Sequence, residues 1–307
     1  MKFKVAIGAA ASAAAMVLAG CAADGPRPEA HSYYSPAVRA TPSTLSADAG
    51  AFEAFMRHAR GIDPNFASAG EVSQALVTGA SHEPRQLESG MIAYAALAAL
   101  QEPRFVAALK ADPNRGELAR RLAADPEFAL QLPGGEAAAA RASGALISQG
   151  EALRDQGLRV KKAAYSVQHQ AWSKRQVADP AGRLARVKRL SAEPLRGDGE
   201  ATARIYQAMA GGAHHSGPAG PAVARAVAVA ALNVLGEPQQ GHALMSEPRT
   251  ASCLRLAKLN LYQCLSAAGP QYEDIFCLGQ HAMTDPGQCV VDATRPARTA
   301  TRVSYRR

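Results

Sequence analysis

Apolar residues recur at helical spacing along most of the chain, and no stretch shows the strict alternation typical of β-strands. Phe52, Phe55 and Met56 share one face of a predicted first helix from about Ser46 to Ala59. Another helix is expected from Pro84 onward, and further amphipathic segments follow to the end of the chain. The pattern therefore predicts an all-α fold, a multi-helix bundle of roughly ten helices.

Acidic residues followed by proline mark most of the expected helix starts. Proline suits the first helical turn because its missing N–H would be unpaired there. The neighbouring acid can cap free N–H groups and faces the positive end of the helix dipole. Some of these pairs are instead expected to be plain turns. Ten of the nineteen prolines follow an acid: Pro64, Pro84, Pro103, Pro113, Pro126, Pro180, Pro194, Pro238, Pro248 and Pro286.

A long helix is predicted over residues 136–177, directly after the break at Pro133-Gly134-Gly135. Large apolar residues recur every seven positions, and a small residue follows each of them four positions later. The large residues are Leu146, Leu153, Val160 and Val167, and the small ones are Gly150, Gly157, Ala164 and Ala171. Such a face lets another helix approach closely. The pattern of large and small residues therefore predicts that this face either packs in the core of the bundle or binds a partner chain.

The segment Ala222–Leu235 carries a single charge, Arg225, and is apolar on nearly every side. A helix of this composition is expected to be buried. We interpret it as the central helix of the fold and not as a membrane span. A capping box formed by Ser68 and Glu71 predicts a shorter helix that ends at Gly79.

The N-terminus has the layout of a secretory signal. Lys2 and Lys4 precede an uncharged run, Val5–Leu18, which is too short to span a bilayer as a helix. The sequence Leu-Ala-Gly-Cys that ends at Cys21 resembles the bacterial lipobox. The resemblance implies a lipoprotein: cleavage before Cys21, acylation of its sulfur and its new amine with palmitate-type chains, and stable membrane anchoring. The alternative is ordinary cleavage nearby, which leaves a soluble protein with an odd thiol.

The resemblance also implies an address, because no Asp follows Cys21 and such lipoproteins are sorted to the outer membrane. Residues 1–20 are therefore the predicted signal peptide, and 21–48 the lipidated cysteine with a flexible, proline-containing linker. A linker of this length spans on the order of 30 Å. Residues 49–293 form the expected globular domain, and 294–307 a basic tail expected to be disordered.

Four cysteines close the predicted domain within a helical hairpin over residues 249–291. Cys253 and Cys264 are three full turns apart on one helix, Gly269-Pro270 turns the chain, and a second helix runs from Tyr272 to about Met283. A further turn is expected at residues 285–287. Four cysteines allow three pairings, and the nested one, Cys264–Cys277 with Cys253–Cys289, fits this geometry best. Zinc is the rival interpretation, but the close cysteine pairs of zinc sites are missing. Disulfides require a compartment outside the cytoplasm, in agreement with the signal.

The net charge is +8, and it becomes +6 once Lys2 and Lys4 leave with the signal. Between Arg154 and Arg196 eleven basic residues face three acids. This segment is the best candidate surface for an anionic partner such as lipopolysaccharide, anionic phospholipid or an envelope protein, and no nucleic acid is expected. A solvated basic face is the alternative. The candidate residues are Arg159, Lys161, Lys162, Lys174, Arg175, Arg183, Arg186, Lys188 and Arg189.

No sequence motif for nucleophilic, metal-dependent or nucleotide chemistry occurs. Glu273, Asp274 and His281 are weak catalytic candidates, and capping of the last helix is the alternative role. The pair His214-His215 makes a poor metal site without carboxylates nearby, so neither metal nor cofactor is expected. The sequence favours a non-enzymatic binding or scaffolding lipoprotein on the periplasmic side of the outer membrane. The alternative is a cell-wall-acting, muramidase-like helical hydrolase.

Overall fold

A computed structural model describes residues 45–197, 201–210 and 214–296. The predicted signal peptide, Cys21, the predicted linker up to residue 44 and the predicted tail beyond residue 296 lie outside the described residues. Within the described ranges the chain forms no β-strand, and the all-α prediction is confirmed. Twelve α-helices are described: α1 (Leu45–Arg60), α2 (Ala69–Ala80), α3 (Pro84–Ala99), α4 (Pro103–Ala111), α5 (Arg115–Ala124), α6 (Gly135–Val167), α7 (Pro180–Leu190), α8 (Ala201–Ala210), α9 (Pro221–Leu235), α10 (Pro248–Ala267), α11 (Gln271–Cys277) and α12 (Asp285–Ala293).

Acid-proline pairs start six of the helical segments. They open α3, α4, α7, α10 and two 3-10 helices, Pro126–Gln131 and Pro238–Leu244. The acid often caps the helix directly: the carboxylate of Glu247 accepts the N–H groups of Arg249 and Thr250. Ser68 likewise accepts the N–H of Glu71 at the start of α2, which is one half of the predicted capping box, while the Glu71 carboxylate accepts the N–H of Ala67 and not that of Ser68.

Helices α3 and α9 occupy the centre of the bundle. Every residue of α3 from Gly90 to Ala99 is buried, and so is every residue of α9 from Ala222 to Leu232 except Arg225. Helix α3 packs against α1, α6, α9 and α10, while α9 also packs against both 3-10 helices. The predicted central position of this apolar segment is correct. Among the helices with described positions, none has the continuous apolar length that a bilayer-spanning segment requires.

A glycine seam joins α6 to residues 271–293, which we call the C-terminal arm. A Cβ atom on Gly157 would lie 2.8 Å from the carbonyl oxygen of Gly279, and one on Gly279 would lie 2.7 Å from that of Gly157. Gly150 and Gly287 show the same reciprocal approach, with both distances at 2.7 Å. The two backbones touch because neither side carries a side chain. The face of alternating large and small residues is therefore core from Leu146 to Val167, and the chain's own C-terminal arm covers it, whereas Ala171 lies beyond the helix and is exposed.

Helix α6 is shorter than predicted, because it ends at Val167 and not at residue 177. The segment after Val167 makes backbone hydrogen bonds with the turn that follows α10. The N–H of Val177 donates to Gly269, and the carbonyl of Arg175 accepts the N–H of Gln271. These bonds to the turn after α10 satisfy backbone groups that a continued helix would have paired internally.

The C-terminal arm differs from the predicted hairpin in one respect. Residues 285–287 are not a turn, because a π-helical segment, Leu278–Thr284, links α11 directly to α12. Pro286 lies where the wider π-helical turns pass into α12. The disulfide pairing is as predicted, Cys253–Cys289 and Cys264–Cys277, with Cα–Cα distances of 5.8 and 5.6 Å. These bonds join α10 to α11 and to α12.

The structure moves two predicted boundaries. Helix α1 begins at Leu45, so the last residues assigned to the linker are helical. Thr294, assigned to the tail, is buried and its hydroxyl donates to the carbonyl of Val291. The Arg249 guanidinium then donates to the carbonyl of Arg295, which fixes the chain up to that point.

Candidate functional site

A groove of about 870 Å³ lies between the end of α1, the loop after it, α2 and the segment that follows α7. Its volume falls within the range of known small-ligand sites. Phe55, Ile62 and Phe66 form an apolar floor, and each is almost completely buried. Leu190, Pro194 and Leu195 form part of the opposite wall. The groove is therefore a concave surface with an apolar base and a polar rim.

The wall after α7 is held by a two-bond clamp to α3. The side-chain amide of Gln86 donates to the carbonyl of Leu195 at 2.8 Å, and its oxygen accepts the N–H of the same residue. On the other side, the Asp63 carboxylate accepts the backbone and side-chain N–H groups of Asn65 and fixes the loop. Both walls are thus positioned by bonds that do not depend on a ligand.

Four polar side chains on the rim make no hydrogen bond or ion pair in the part of the chain that is described. They are His58, Gln74, Glu193 and Arg196. The other two rim carboxylates are engaged locally: Asp63 as above, and Glu71 with the N–H of Ala67 at 2.7 Å. The free set comprises one carboxylate, one guanidinium, one amide and one imidazole. Such a set can bind a ligand that carries both an anionic and a cationic group.

A buried polar cluster lies close to the groove, between α10, the α2–α3 junction and the end of α7. The Lys258 ammonium is 4% exposed and donates to the carbonyl of Ala80 at 2.9 Å and to the hydroxyl of Ser191 at 3.2 Å. Its third neighbour is Nδ1 of His82 at 3.4 Å. The His82 ring packs on Phe55 of the groove floor, with centroids 4.6 Å apart. This cluster ties three helices together beneath the groove.

Burial lowers the pKa of His82 well below its usual value, and the neighbouring Lys258 lowers it further. Burial also lowers the pKa of Lys258, while Glu83 opposes that shift. Since Nδ1 of His82 faces a donor, the ring proton resides on Nε2, which has no partner within the described residues. Protonation at Nδ1 would set two donors against each other, so His82 stays neutral in the folded protein.

We expect the protein to lose stability on acidification from pH 7 to pH 5 because of His82. Below about pH 6.5 the unfolded chain binds a proton at this residue that the folded protein does not bind, so stability falls as pH falls. The loss attributable to His82 is about 2 kcal/mol over this range. Urea unfolding at both pH values, on wild type and on a His82→Asn variant, measures it as a difference.

The matched control is His242→Asn, since His242 is exposed. The stability of this variant should change between pH 7 and pH 5 by the same amount as that of the wild type. Asp274 titrates with the opposite sign, because burial raises its pKa, but this contribution is common to all three proteins and cancels. Equal pH dependence of the wild type and the His82 variant would contradict the assignment.

Asp274 forms a buried ion pair with Arg183 of α7. Burial raises the pKa of Asp274 to about 6, and Arg183 opposes this rise. The same guanidinium donates to the carbonyls of Leu265 and Ala268 at the end of α10. Arg183 was assigned to the basic surface, and that assignment is wrong because its charge is used to join α7, α10 and α11 in the interior.

The other weak catalytic candidates also have local partners. The Glu273 carboxylate accepts the N–H of Gly269 at 2.8 Å, and Nδ1 of His281 lies 2.8 Å from the Asp285 carboxylate on the next turn. No hydrogen bond or ion pair in the described ranges connects Glu273, Asp274 and His281 with one another. None of them lines the groove.

The remaining basic candidates fall on separate elements. Arg159, Lys161 and Lys162 lie on α6, which packs against the C-terminal arm. Arg186, Lys188 and Arg189 lie on α7, which packs against α2 and α10. Lys174 and Arg175 are exposed in the segment between these helices. The sequence run of basic residues thus divides into two helical groups joined by a connecting segment.

The His214-His215 pair has a backbone role, since the N–H of His215 donates to the carbonyl of Ala140 on α6. In the ranges that the structure covers, no three His, Cys, Asp or Glu side chains are grouped as a metal site would require.

The groove and the buried cluster were not found from the sequence. His82 and Lys258 are 176 positions apart, and Lys258 alone has the appearance of an ordinary surface lysine on α10. The only local signal is its position between Leu254 and Leu261 on the buried face. Comparison with known proteins adds no further assignment, because no family model, no curated protein and no solved structure matches this chain.

Proposed function

We propose that this protein is an outer-membrane lipoprotein facing the periplasm, and that its helical body is a non-enzymatic binding module. The lipobox-like sequence at Cys21 is the basis for proposing a lipid tether. The two disulfides support an extracytoplasmic site independently, because structural disulfides persist in oxidising compartments.

The observation that carries the binding role is the groove with its four unengaged polar side chains. Arg196 can bind a carboxylate through paired N–H groups, while Glu193 can bind an amine. His58 and Gln74 can pair with amide groups between them. A short peptide with free carboxylate and amino groups meets all of these requirements. In the proposed compartment, the stem peptides of the cell wall have this chemistry.

The hydrolase alternative requires a carboxylic acid that is both desolvated and open to substrate. Burial raises the pKa of Glu88, but this residue is 1% exposed and does not line the groove. Its carboxylate accepts the N–H of Glu247 and the hydroxyl of Ser246. Glu88 thus holds the start of α10 in place, and the geometry favours binding over hydrolysis.

Calorimetric titration with soluble muropeptides tests the proposal. We expect Arg196→Gln and Glu193→Gln each to weaken binding at least tenfold, because each removes a charge-assisted hydrogen bond of about 1.5–3 kcal/mol. Arg189→Gln is the matched control, since Arg189 is exposed on α7 and does not line the groove.

Unbound muropeptides, or equal affinities in all four proteins, would rule out the groove as this binding site. Incubation of the pure protein with intact peptidoglycan gives a separate answer on chemistry, because muropeptides no longer contain the glycan bond that a muramidase cleaves. No soluble fragments are expected, and their release would instead establish the hydrolase.

A further inference from the structure

Four large apolar side chains are markedly exposed in the described part of the chain, and two of them lie on α6. Leu158 is 47% exposed and Tyr165 is 53% exposed. They are seven positions apart, two helical turns, and so lie on the same face. On a helix of 3.6 residues per turn this face lies about 80° around α6 from the glycine seam, beside the C-terminal arm that covers the seam.

Cations surround this apolar pair. Lys162 is exposed and lies between Leu158 and Tyr165 along the helix, with exposed Arg159 next to it. The Lys161 ammonium lies 5.1 Å from the centre of the Phe276 ring, and the Tyr165 ring meets the same Phe276 edge-on at 6.2 Å. We call these six residues the α6 patch: Leu158, Arg159, Lys161, Lys162, Tyr165 and Phe276.

The α6 patch carries three positive charges that no carboxylate in it offsets. Lys161 donates to the neutral side chain of Gln280 at 2.7 Å, and Arg159 donates to that of Gln156 at 2.7 Å. Asp155 on this side of α6 is paired with Arg154 at 3.2 Å, and Asp285, which interacts electrostatically with Lys161, is bonded to Gln280 and His281. The charge of the patch is therefore available to an anionic surface.

The small size of the patch argues against a protein partner. A stable protein interface takes about 20–30 residues on each side, and two exposed apolar side chains supply far less. A bilayer needs less, because a leucine can enter the acyl boundary, a tyrosine lies at the headgroup level and lysine stems extend to the phosphates.

We infer that the α6 patch docks on the surface of an anionic bilayer and so orients the tethered body. This inference rests on the proposed lipid anchor at Cys21, because the tether would make a weak affinity of the patch for the bilayer sufficient in the cell. The 23 residues between Cys21 and Leu45 can extend at most about 80 Å, so the proposed tether limits how far the body can leave the membrane. At that distance the effective concentration is on the order of millimolar, so a weak docking surface is sufficient.

Vesicle co-sedimentation tests the patch without the anchor. The mature full-length chain carrying Cys21→Ser is mixed with vesicles of phosphatidylglycerol and phosphatidylcholine, or of phosphatidylcholine alone. Each cation near an anionic surface strengthens binding about fivefold. We therefore expect binding to the anionic vesicles to be on the order of 100-fold or more tighter, and to be lost at high salt.

Two double variants identify the surface. Arg159→Glu with Lys162→Glu should abolish the preference for anionic vesicles, and Leu158→Ser with Tyr165→Ser should weaken binding about tenfold. The control is Arg104→Glu with Arg120→Glu, which makes the same charge change at exposed positions of α4 and α5. It should retain most of the binding.

Equal binding by the control and the Arg159/Lys162 variant would overturn the inference, as would equal binding to both kinds of vesicle. Dimers that form in solution and disappear with the Leu158/Tyr165 variant would also overturn it, since a second copy would then cover the face. Muropeptide titration of the same proteins reports on the groove separately. Mass spectrometry of the native protein reports on the acyl chains at Cys21.

Discussion

Replacing Gly279 with alanine should lower the free energy of unfolding by about 3 kcal/mol or more. The new Cβ would lie 2.7 Å from the carbonyl oxygen of Gly157, well inside van der Waals contact. That oxygen belongs to the backbone of α6, so no side chain can rotate away to relieve the overlap. The two helices would have to separate, and the packing along the whole seam would loosen.

Urea unfolding followed by circular dichroism measures this loss, and Gly116→Ala is the matched control. Gly116 is exposed in α5, and a Cβ atom added there would meet no atom within 4 Å. Alanine at this position should be neutral or should stabilise the protein by about 0.5–1 kcal/mol, because it restricts the unfolded chain and favours the helix. Indistinguishable midpoints for the two variants would mean that the helices do not approach at Gly279 as described.

Removing the outer disulfide by replacing Cys253 and Cys289 with alanine should destabilise the protein by about 3.5 kcal/mol. Loop-closure entropy alone, for a separation of 36 residues, gives about 4 kcal/mol. The inner bond already closes 13 of these residues, so the outer one restrains an effective loop of about 23. The two bonds are therefore coupled through the unfolded chain.

The variant that lacks Cys264 and Cys277 isolates the inner bond, for which we expect a loss of about 3 kcal/mol. Because the loops are nested, the variant lacking all four cysteines should lose less than the sum of two independent loops of 36 and 13 residues. Thermal and urea unfolding of the three variants checks the order. A greater loss for the inner bond than for the outer one would contradict the entropic account.

Helical arithmetic explains why the seam and the disulfides could be predicted. A repeat of seven places Leu146, Leu153 and Val160 on one face whatever the tertiary structure, and the glycines follow from the same count. Cys253 and Cys264 are likewise fixed on one face by the turns between them. Which residues share a face of a helix depends only on their spacing along that helix, and the sequence gives this spacing directly.

The errors arose where tertiary contacts overrode a local signal. Pro286 and Gly287 are typical of a turn, yet Gly287 is needed within a helix so that the backbone of α6 can approach. Arg183 lies in a run of basic residues, but its ion pair with Asp274 is made across 91 positions of sequence. The groove has the same origin, because its walls come from α1, α2 and the segment after α7.

The glycine seam has a consequence for the order in which the molecule can assemble. Gly150 and Gly287 are 137 positions apart, so all of α6 is synthesised well before the C-terminal arm that covers it. During that interval a bare row of glycines, poor in intrinsic helix propensity, has nothing to pack against. Folding of α6 against its partner therefore finishes only when the last few dozen residues have been synthesised. A prematurely terminated polypeptide would leave the glycine face of α6 uncovered, where quality-control proteins can bind it.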